Sequence, residues 1–207
     1  EREIENFVPK KSFRVDAQFL NSKGVRFKSK ISKNFESEAE ANQFLNSCVD
    51  ASFTVSDLQK KPAKKSPAPP FTTSTLQQEA SRKLGFPVAK TMMVAQRLYE
   101  SGLITYMRTD SVNLSEEVRN ASRLEIESTY GESFSKPRNF SNKIKGAQEA
   151  HEAIRPTDMS RHDISVEYDQ NRLYSLIWKR TISSQMSDAQ LEKTMVKIKN
   201  DRNDKLF

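Results

Sequence analysis

The chain has 207 residues, a formal net charge of +7 and a single cysteine, Cys48. This length accommodates one or two domains with a substantial core. No apolar run approaches the roughly 18 residues that a membrane-spanning helix needs, and the first residues do not have the pattern of a signal peptide. One cysteine cannot form an internal disulfide, so we expect a cytoplasmic protein. The positive charge suits a polyanionic partner but does not identify one.

Residues 1–70 have the pattern of a mainly β segment. Apolar and polar residues alternate over Phe13–Phe19 and again over Val25–Ile31. Asn21–Gly24 lies between them and favours a turn, so we predict a hairpin. Solvation is the default explanation for the cations on the outward faces of these strands, which are Arg14, Lys23, Arg26, Lys28 and Lys30.

The hairpin is followed by a short helix, a strand and a segment without regular structure. Ser37 can cap a helix that runs through Leu45, and Ala51–Leu58 is typical of a strand. Gln59–Pro70 contains four lysines and four prolines. Because proline cannot donate to a sheet and the lysines repel one another, we predict a linker or an extended arm and place a domain boundary there.

The remainder of the chain is predicted to be mainly helical, with one late strand. Two helices separated by a tight break are typical of a helix-turn-helix or winged-helix arrangement. Leu191–Ile198 alternates again and is predicted to return to the sheet of residues 1–58. The predicted helices run from Ser74 or Thr75 to Leu84, from Pro87 to Ser101, from Asn113 or Ser115 to Tyr130, and from Val166 to Met186.

A tyrosine and an arginine lie two residues apart just after the second of these helices. Gly102 is expected to end that helix, and the alternation over Leu103–Met107 predicts a short strand. Tyr106 and Arg108 would then lie on the same face. A phenol can attack a phosphate while a guanidinium binds its oxygens through a planar set of donors. On spacing alone, ordinary packing next to a surface charge is the commoner explanation.

A second polar cluster surrounds His151 and Arg155, which would share a face if this stretch is helical. A zinc motif of the form His-Glu-x-x-His is excluded because Arg155 occupies the second ligand position. Arg155 could contact phosphate or could equally support Asp110 or Glu152. In the preceding loop, phosphate binding and simple solvation are equally good explanations for Lys136, Arg138, Lys143 and Lys145.

Five stretches of this chain carry a family resemblance, namely TTSTLQQEA at 72–80, KTMM at 90–93, AQRLYE at 95–100, GLITYMRTDS at 102–111 and HEAIRPT at 151–157. Together, and in this order, they resemble the central part of bacterial type IA DNA topoisomerases. The resemblance is close from Pro70 to about Asp158 and looser toward both ends.

This resemblance implies that Tyr106 cleaves DNA. It would attack one strand to form a transient 5′-phosphotyrosine, which permits strand passage, relaxation of negative supercoils and religation without a nucleotide cofactor. Arg108 would assist, and Met107 favours the relaxing group of the family. The residues that we assign to DNA binding are His151, Arg155, Thr109 and Lys145.

The resemblance also implies an α+β fold in two parts. Residues 1–70 and 188–207 would form a β-rich arch, and residues 71–187 an inserted, mainly helical, winged-helix-like domain that carries Tyr106. The arch would hold this domain over the DNA and let it swing away after cleavage.

The family's acidic domain and zinc-binding tail have no counterpart in this sequence, which contains no Asp-x-Asp and no cysteine cluster. We therefore expect a fragment that binds no metal itself, whereas the complete enzyme would use Mg²⁺ through the acidic domain. Its expected partners are single-stranded and negatively supercoiled DNA and the missing domains of the same polypeptide. We expect the protein near the nucleoid and not at a membrane. The fragment alone should bind single strands weakly and cut none.

Two other classes of function remain open from the sequence. One is a DNA-binding module in which Tyr106 is only structural. The other is a tyrosine recombinase, which also forms a phosphotyrosine. That class has an arginine and a His-x-x-Arg set ahead of its tyrosine, whereas here His151 follows Tyr106. The order of these residues argues against a recombinase.

Overall fold

The structure is a computed structural model that describes residues 2–140 and 152–207. It contains both helices and strands, which confirms the mixed α and β composition predicted from the sequence. The chain forms two compact units, residues 1–63 with 191–207 (unit 1) and residues 64–190 (unit 2). None of the described helices is long and apolar enough to cross a membrane.

The hairpin of unit 1 forms where the alternation predicts it. Strand β1 (Asp16–Leu20) pairs antiparallel with β2 (Arg26–Lys30). The side-chain carbonyl of Asn21 organises the turn by accepting a hydrogen bond from the backbone N–H of Val25 at 2.9 Å. Gly24 has a φ of +76°, a left-handed conformation that glycine adopts without a steric cost.

Unit 1 has an aromatic core. Helix α1 (Arg2–Glu5) contributes no buried residue, whereas α2 (Glu38–Ser47) contributes two. The predicted cap of α2 is confirmed, because the Ser37 hydroxyl accepts a hydrogen bond from the Glu40 N–H at 3.2 Å. The buried core consists of Val15, Ile31, Phe35, Ala41, Phe44, Ile198 and Phe207, with Phe13, Phe19 and Phe53 among the residues packed against it.

Two long strands form a second sheet, and this corrects the predicted linker. Strand β3 (Phe53–Lys65) continues through most of the predicted linker and pairs with β4 (Ala189–Asn200). β4 thus returns to the strand predicted at Ala51–Leu58, although this strand and the hairpin of β1 and β2 belong to separate sheets. Pro62 is tolerated because both strands of a two-stranded sheet are edge strands. Opposite charges across the pair, such as Lys60 and Glu192 at 3.0 Å, offset the repulsion between the lysines.

The described part of unit 2 contains four α-helices, all close to their predicted ranges. Gly85, with a φ of +70°, ends the first, and Ser115 caps the third. The cap of the first helix is Thr72 rather than Ser74 or Thr75, and its hydroxyl accepts from the Thr75 N–H. The helices are α3 (Thr73–Leu84), α4 (Val88–Glu100), α5 (Glu116–Tyr130) and α6 (Tyr168–Ser184).

The core of unit 2 lies between α6 and the other three helices. Leu98 of α4 and Ile177 of α6 are fully buried. Trp178 is 6% exposed, and its indole N–H donates to the Met159 carbonyl at 2.9 Å. This buried indole has its polar atom satisfied, as a tryptophan within a core requires.

Two cations of the predicted loop are held by one carboxylate. Lys136 Nζ and Arg138 Nη2 lie 3.2 Å and 2.8 Å from the carboxylate oxygens of Asp188, just before β4. Hydrogen bonds from Ser66, Lys136 and Arg138 lower the pKa of Asp188 to about 2. Both cations therefore have an internal partner. Lys143 and Lys145 lie outside the described residues.

Candidate active site

Tyr106 lies on a loop that leaves the end of α4. The helix ends because Gly102 has a φ of +68°, which turns the chain away from the helix axis. The Gly102 N–H donates to the Tyr99 carbonyl at 2.8 Å and closes the last turn. The loop then buries Leu103 and Ile104 in the core, whereas Tyr106 is 43% exposed.

The predicted strand at Leu103–Met107 is wrong. A single bridge pairs Ile104 with Pro156. The Thr105 N–H donates to the Arg155 carbonyl at 2.9 Å, and the Thr105 hydroxyl donates to the Ala153 carbonyl at 2.7 Å. The partner of the loop is thus an extended segment some fifty residues later, and the described part of that segment, from residue 152 onward, is not helical.

A threonine at the start of α3 holds the other end of the loop. The Thr73 hydroxyl donates to the Met107 carbonyl at 2.8 Å and accepts a hydrogen bond from the Thr109 N–H at 2.9 Å. The Thr73 N–H donates to the Thr109 carbonyl at 2.8 Å. Tyr106 and Arg108 are therefore carried by a backbone that is fixed before and after them.

Exposure alternates along this fixed backbone. Tyr106, Arg108 and Asp110 are exposed, whereas Met107 and Thr109 are buried. Tyr106 and Arg108 therefore both extend toward solvent, as predicted, although no strand is present. Across residues 2–140 and 152–207, the Arg108 side chain makes no hydrogen bond or ion pair. Its donors are available to an external anion.

The ring of Tyr106 contacts one aromatic neighbour. Its centroid lies 5.2 Å from that of Tyr99, and the planes meet at 66°, an edge-to-face arrangement. Such pairs contribute roughly 0.5–1.5 kcal/mol beyond their buried area. Tyr99 belongs to α4, so a rigid helix restricts the orientation of the Tyr106 ring. Sequence reasoning missed this role, although the seven-residue separation across a helix end could have suggested it.

Arg155 has a partner inside the protein. Its guanidinium donates to a carboxylate oxygen of Glu152 at 2.9 Å and to the Pro156 carbonyl at 2.8 Å, and its side chain is only 14% exposed. The other carboxylate oxygen of Glu152 accepts the Ser115 N–H at 2.8 Å. Burial alone would raise the pKa of Glu152, but the hydrogen bonds from Ser115 and Arg155 outweigh it and lower that pKa. Of the two roles considered for Arg155, the structure contains the structural one with Glu152.

Of the other predicted DNA contacts, the structure describes Thr109. The Thr109 hydroxyl accepts the Ser111 N–H at 3.0 Å, and the residue is 9% exposed. His151 and Lys145 lie outside the described residues. Within the part of the chain that the structure describes, no group of three or more His, Cys, Asp or Glu side chains could hold a metal ion.

Known proteins resemble this chain over nearly its whole length. A family model described as DNA topoisomerase matches residues 1–206. The DNA topoisomerase 1 of Zymomonas mobilis is 47% identical over 211 aligned positions, covering 96% of this chain and 17% of the relative. That of Campylobacter jejuni is 43% identical over 98% of this chain and 32% of the relative.

A solved structure agrees with these sequence relatives. The full-length topoisomerase I of Thermotoga maritima superposes with a TM-score of 0.69 at 34% identity, over 99% of this chain and 34% of that one. This chain thus spans about a third or less of the length of these proteins. Because the family model covers nearly all of its residues, the chain belongs to the bacterial DNA topoisomerase family.

Proposed function

We propose that this chain is the central, DNA-cleaving part of a type IA topoisomerase and that Tyr106 is its nucleophile. The observation that carries the proposal is the pair of exposed side chains, Tyr106 and Arg108, on a loop whose backbone is bonded on both sides. A nucleophile held in position avoids much of the entropic cost of reaching its attack geometry.

The proposed reaction exchanges one phosphate ester for another. The Tyr106 oxygen bonds to phosphorus as the bond from phosphorus to the 3′ oxygen breaks. This yields a 5′-phosphotyrosine and a free 3′-hydroxyl end. The phenolic proton leaves and the 3′ oxygen takes one up. Reversal restores the strand after another strand has passed, so relaxation of negative supercoils needs no ATP.

Arg108 is proposed to meet the charge that builds up on the phosphate oxygens during attack. A preorganised donor of this kind is typically worth a factor on the order of 10²–10³ in rate. The N-terminus of α3 lies beside the same loop, because Thr73 binds residues 107 and 109. Its positive end favours a phosphate nearby.

Several finer features belong to the same proposal. The short break between α3 and α4 suits a winged-helix-like domain on residues 71–187, with residues 1–70 and 188–207 as the arch. Mg²⁺ is expected in the complete enzyme through an acidic domain, as the resemblance to the family implies. We place the working enzyme in the cytoplasm, at the nucleoid.

The test uses a chimera in which this chain replaces the matching segment of the Zymomonas mobilis enzyme. In Tyr106→Phe only the attacking oxygen is removed, so DNA binding should persist while covalent adduct and relaxation vanish. Tyr99→Phe is the matched control, since it removes a hydroxyl from the neighbouring ring and should retain activity. The 207-residue chain alone should give no adduct with labelled single-stranded DNA. Relaxation by Tyr106→Phe would overturn the proposal, and adduct formed by the chain alone would overturn the need for other domains.

A further inference from the structure

The hairpin of unit 1 has two chemically different faces. Ala17 and Phe19 of β1 are half-buried, and the Phe19 ring lies 5.5 Å from that of Phe207 in the unit 1 core. Side chains alternate across a strand, so their neighbours in sequence must face outward. On β2 the outward residues are Arg26, Lys28 and Lys30, all exposed. Packing of the inner face therefore fixes these cations on one surface.

The register aligns the three cations opposite mostly uncharged residues. Lys28 is opposite Gln18 and Arg26 is opposite Leu20. Only Lys30 faces a carboxylate, that of Asp16. That carboxylate is already bonded by Arg14, whose Nη2 lies 2.8 Å from it.

The second sheet of the protein shows what neutralised strand cations look like. There Lys60 lies 3.0 Å from Glu192, and Lys197 lies 3.1 Å from Asp57. By contrast, none of the three β2 cations has an ion-pair partner among the residues that the structure describes. Solvation alone explains single exposed cations. Lys61, Lys193 and Lys199 of the second sheet also have no ion-pair partner among the described residues, so the absence of anions alone does not distinguish the β2 cations. What distinguishes them is that they occupy three consecutive outward positions of one strand.

We propose that the outer face of β2, defined by Arg26, Lys28 and Lys30, binds the phosphate backbone of DNA. Alternate residues of a strand recur about every 6.8 Å. Lysine and arginine in such a row can donate to successive phosphate oxygens, and contacts of this kind position DNA without reading its sequence.

This inference rests on the proposed function for the identity of its ligand, but it concerns a different surface. Tyr106 and Arg108 belong to unit 2, whereas the hairpin belongs to unit 1. The hairpin would hold DNA without reacting with it. Loss of binding at the hairpin and loss of cleavage at Tyr106 are therefore separate measurements.

The experiment measures binding of the 207-residue chain to a fluorescent single-stranded oligonucleotide and to its duplex over a range of salt concentrations. In the triple variant Arg26→Gln, Lys28→Gln, Lys30→Gln, affinity should fall on the order of tenfold. The salt slope should fall by about two to three, because each phosphate that is no longer neutralised lowers it by roughly 0.7–0.9. The control Lys61→Gln, Lys193→Gln, Lys199→Gln removes the same charge from exposed positions elsewhere and should leave the slope nearly unchanged. Gln18→Lys adds a cation to the same face and should steepen the slope.

Equal decreases in affinity and salt slope in the triple variant and its control would overturn the proposal, since they would show only a general effect of net charge. Unchanged binding in both the triple variant and Gln18→Lys would also overturn it. A decrease in affinity for only the single strand or only the duplex supports the proposal and identifies the form of DNA that the hairpin binds. Tyr106→Phe should bind like the parent chain, so this result stands whether or not Tyr106 cleaves.

Discussion

Two neighbouring segments of unit 2 use their polar groups in opposite ways. In residues 103–111 the backbone and the threonine hydroxyls make the holding contacts, and the Arg108 side chain is left exposed. In residues 152–157 the side chains also hold the structure, because Arg155 binds Glu152 and the Pro156 carbonyl. Both segments contain an arginine, but the Arg155 guanidinium is bonded to Glu152 and Pro156, whereas the Arg108 side chain has no bond to another described residue.

The difference shows why an arginine near a candidate nucleophile is not evidence of catalysis by its position alone. A guanidinium that is 14% exposed and bonded to a carboxylate would have to break those bonds before it met a phosphate. Arg108 has no such bonds to break within residues 2–140 and 152–207. We therefore expect substitution of Arg108 to slow DNA cleavage and substitution of Arg155 to lower the stability of the protein.

The largest effect is expected at Arg108. In the active chimera, Arg108→Ala should slow DNA cleavage by a factor on the order of 10²–10³, because it removes a donor to the developing phosphate charge. Arg108→Lys keeps the charge but not the planar set of donors, so it should also be slow. Single-turnover adduct formation measures the rate, with Arg97→Ala as an exposed-arginine control. Cleavage by Arg108→Ala at the parent rate would assign Arg108 a structural role only.

Substitution of Arg155 should affect the stability of the protein more than its rate of cleavage. Arg155→Ala leaves the Glu152 carboxylate without its cation, and the free energy of unfolding should fall by about 2 kcal/mol, as for hydrogen bonds to charged groups shielded from water. Urea denaturation of the chain measures this. A double-mutant cycle with Glu152→Gln isolates the pair, since coupling between contacting residues makes the two changes non-additive. Parent stability together with weakened DNA binding would instead support the DNA contact predicted from the sequence.

The smallest effect concerns pH. Because the pKa of Glu152 lies below its ordinary value of 4.5 in the folded protein, its contribution to stability is complete above that value. That contribution disappears as the pH falls through the lowered pKa. The urea midpoint of the parent chain should therefore approach that of Glu152→Gln as the pH is lowered from neutral to acid conditions. Asp163→Asn, a change at an exposed carboxylate in the same unit, should run parallel to the parent. If the difference in urea midpoint between the parent and Glu152→Gln stayed constant as the pH changed, this linkage would be contradicted.

Much of the fold was predictable because its signals are local. Asn21–Gly24 forms its turn through a side chain and a backbone only a few residues apart. Gly85 and Gly102 end helices, and Ser37 and Ser115 begin them, within one turn of each residue. The extension of β3 beyond Leu58 was not predictable in this way, since Pro62 argues locally against a strand and the supporting partner, β4, lies far along the chain.

The features of the candidate site also separate into those set by local sequence and those set by tertiary structure. The outward orientation of Tyr106 and Arg108 follows from alternation, which needs no partner. The strand predicted for them is wrong because alternation does not supply a neighbouring strand, and the real neighbour makes only one bridge. The contacts of Thr73 depend on tertiary placement, whereas Glu152 lies three residues before Arg155 and was one of its two predicted structural partners. The roles of His151 and Lys145 stay predictions.

The pairing of β3 with β4 has a consequence for how the chain can vary. Nearly all of unit 2 lies between these two strands in sequence, yet Ser66 just after β3 hydrogen-bonds Asp188 just before β4. The inserted unit is thus a closed loop whose two ends are already adjacent. The entropy of closing a loop rises by only about 0.6 kcal/mol for each doubling of its length. Insertions or deletions within unit 2 should therefore place little strain on the strand pair, and the core of unit 1 is largely insulated from changes in the length of the segment that carries Tyr106.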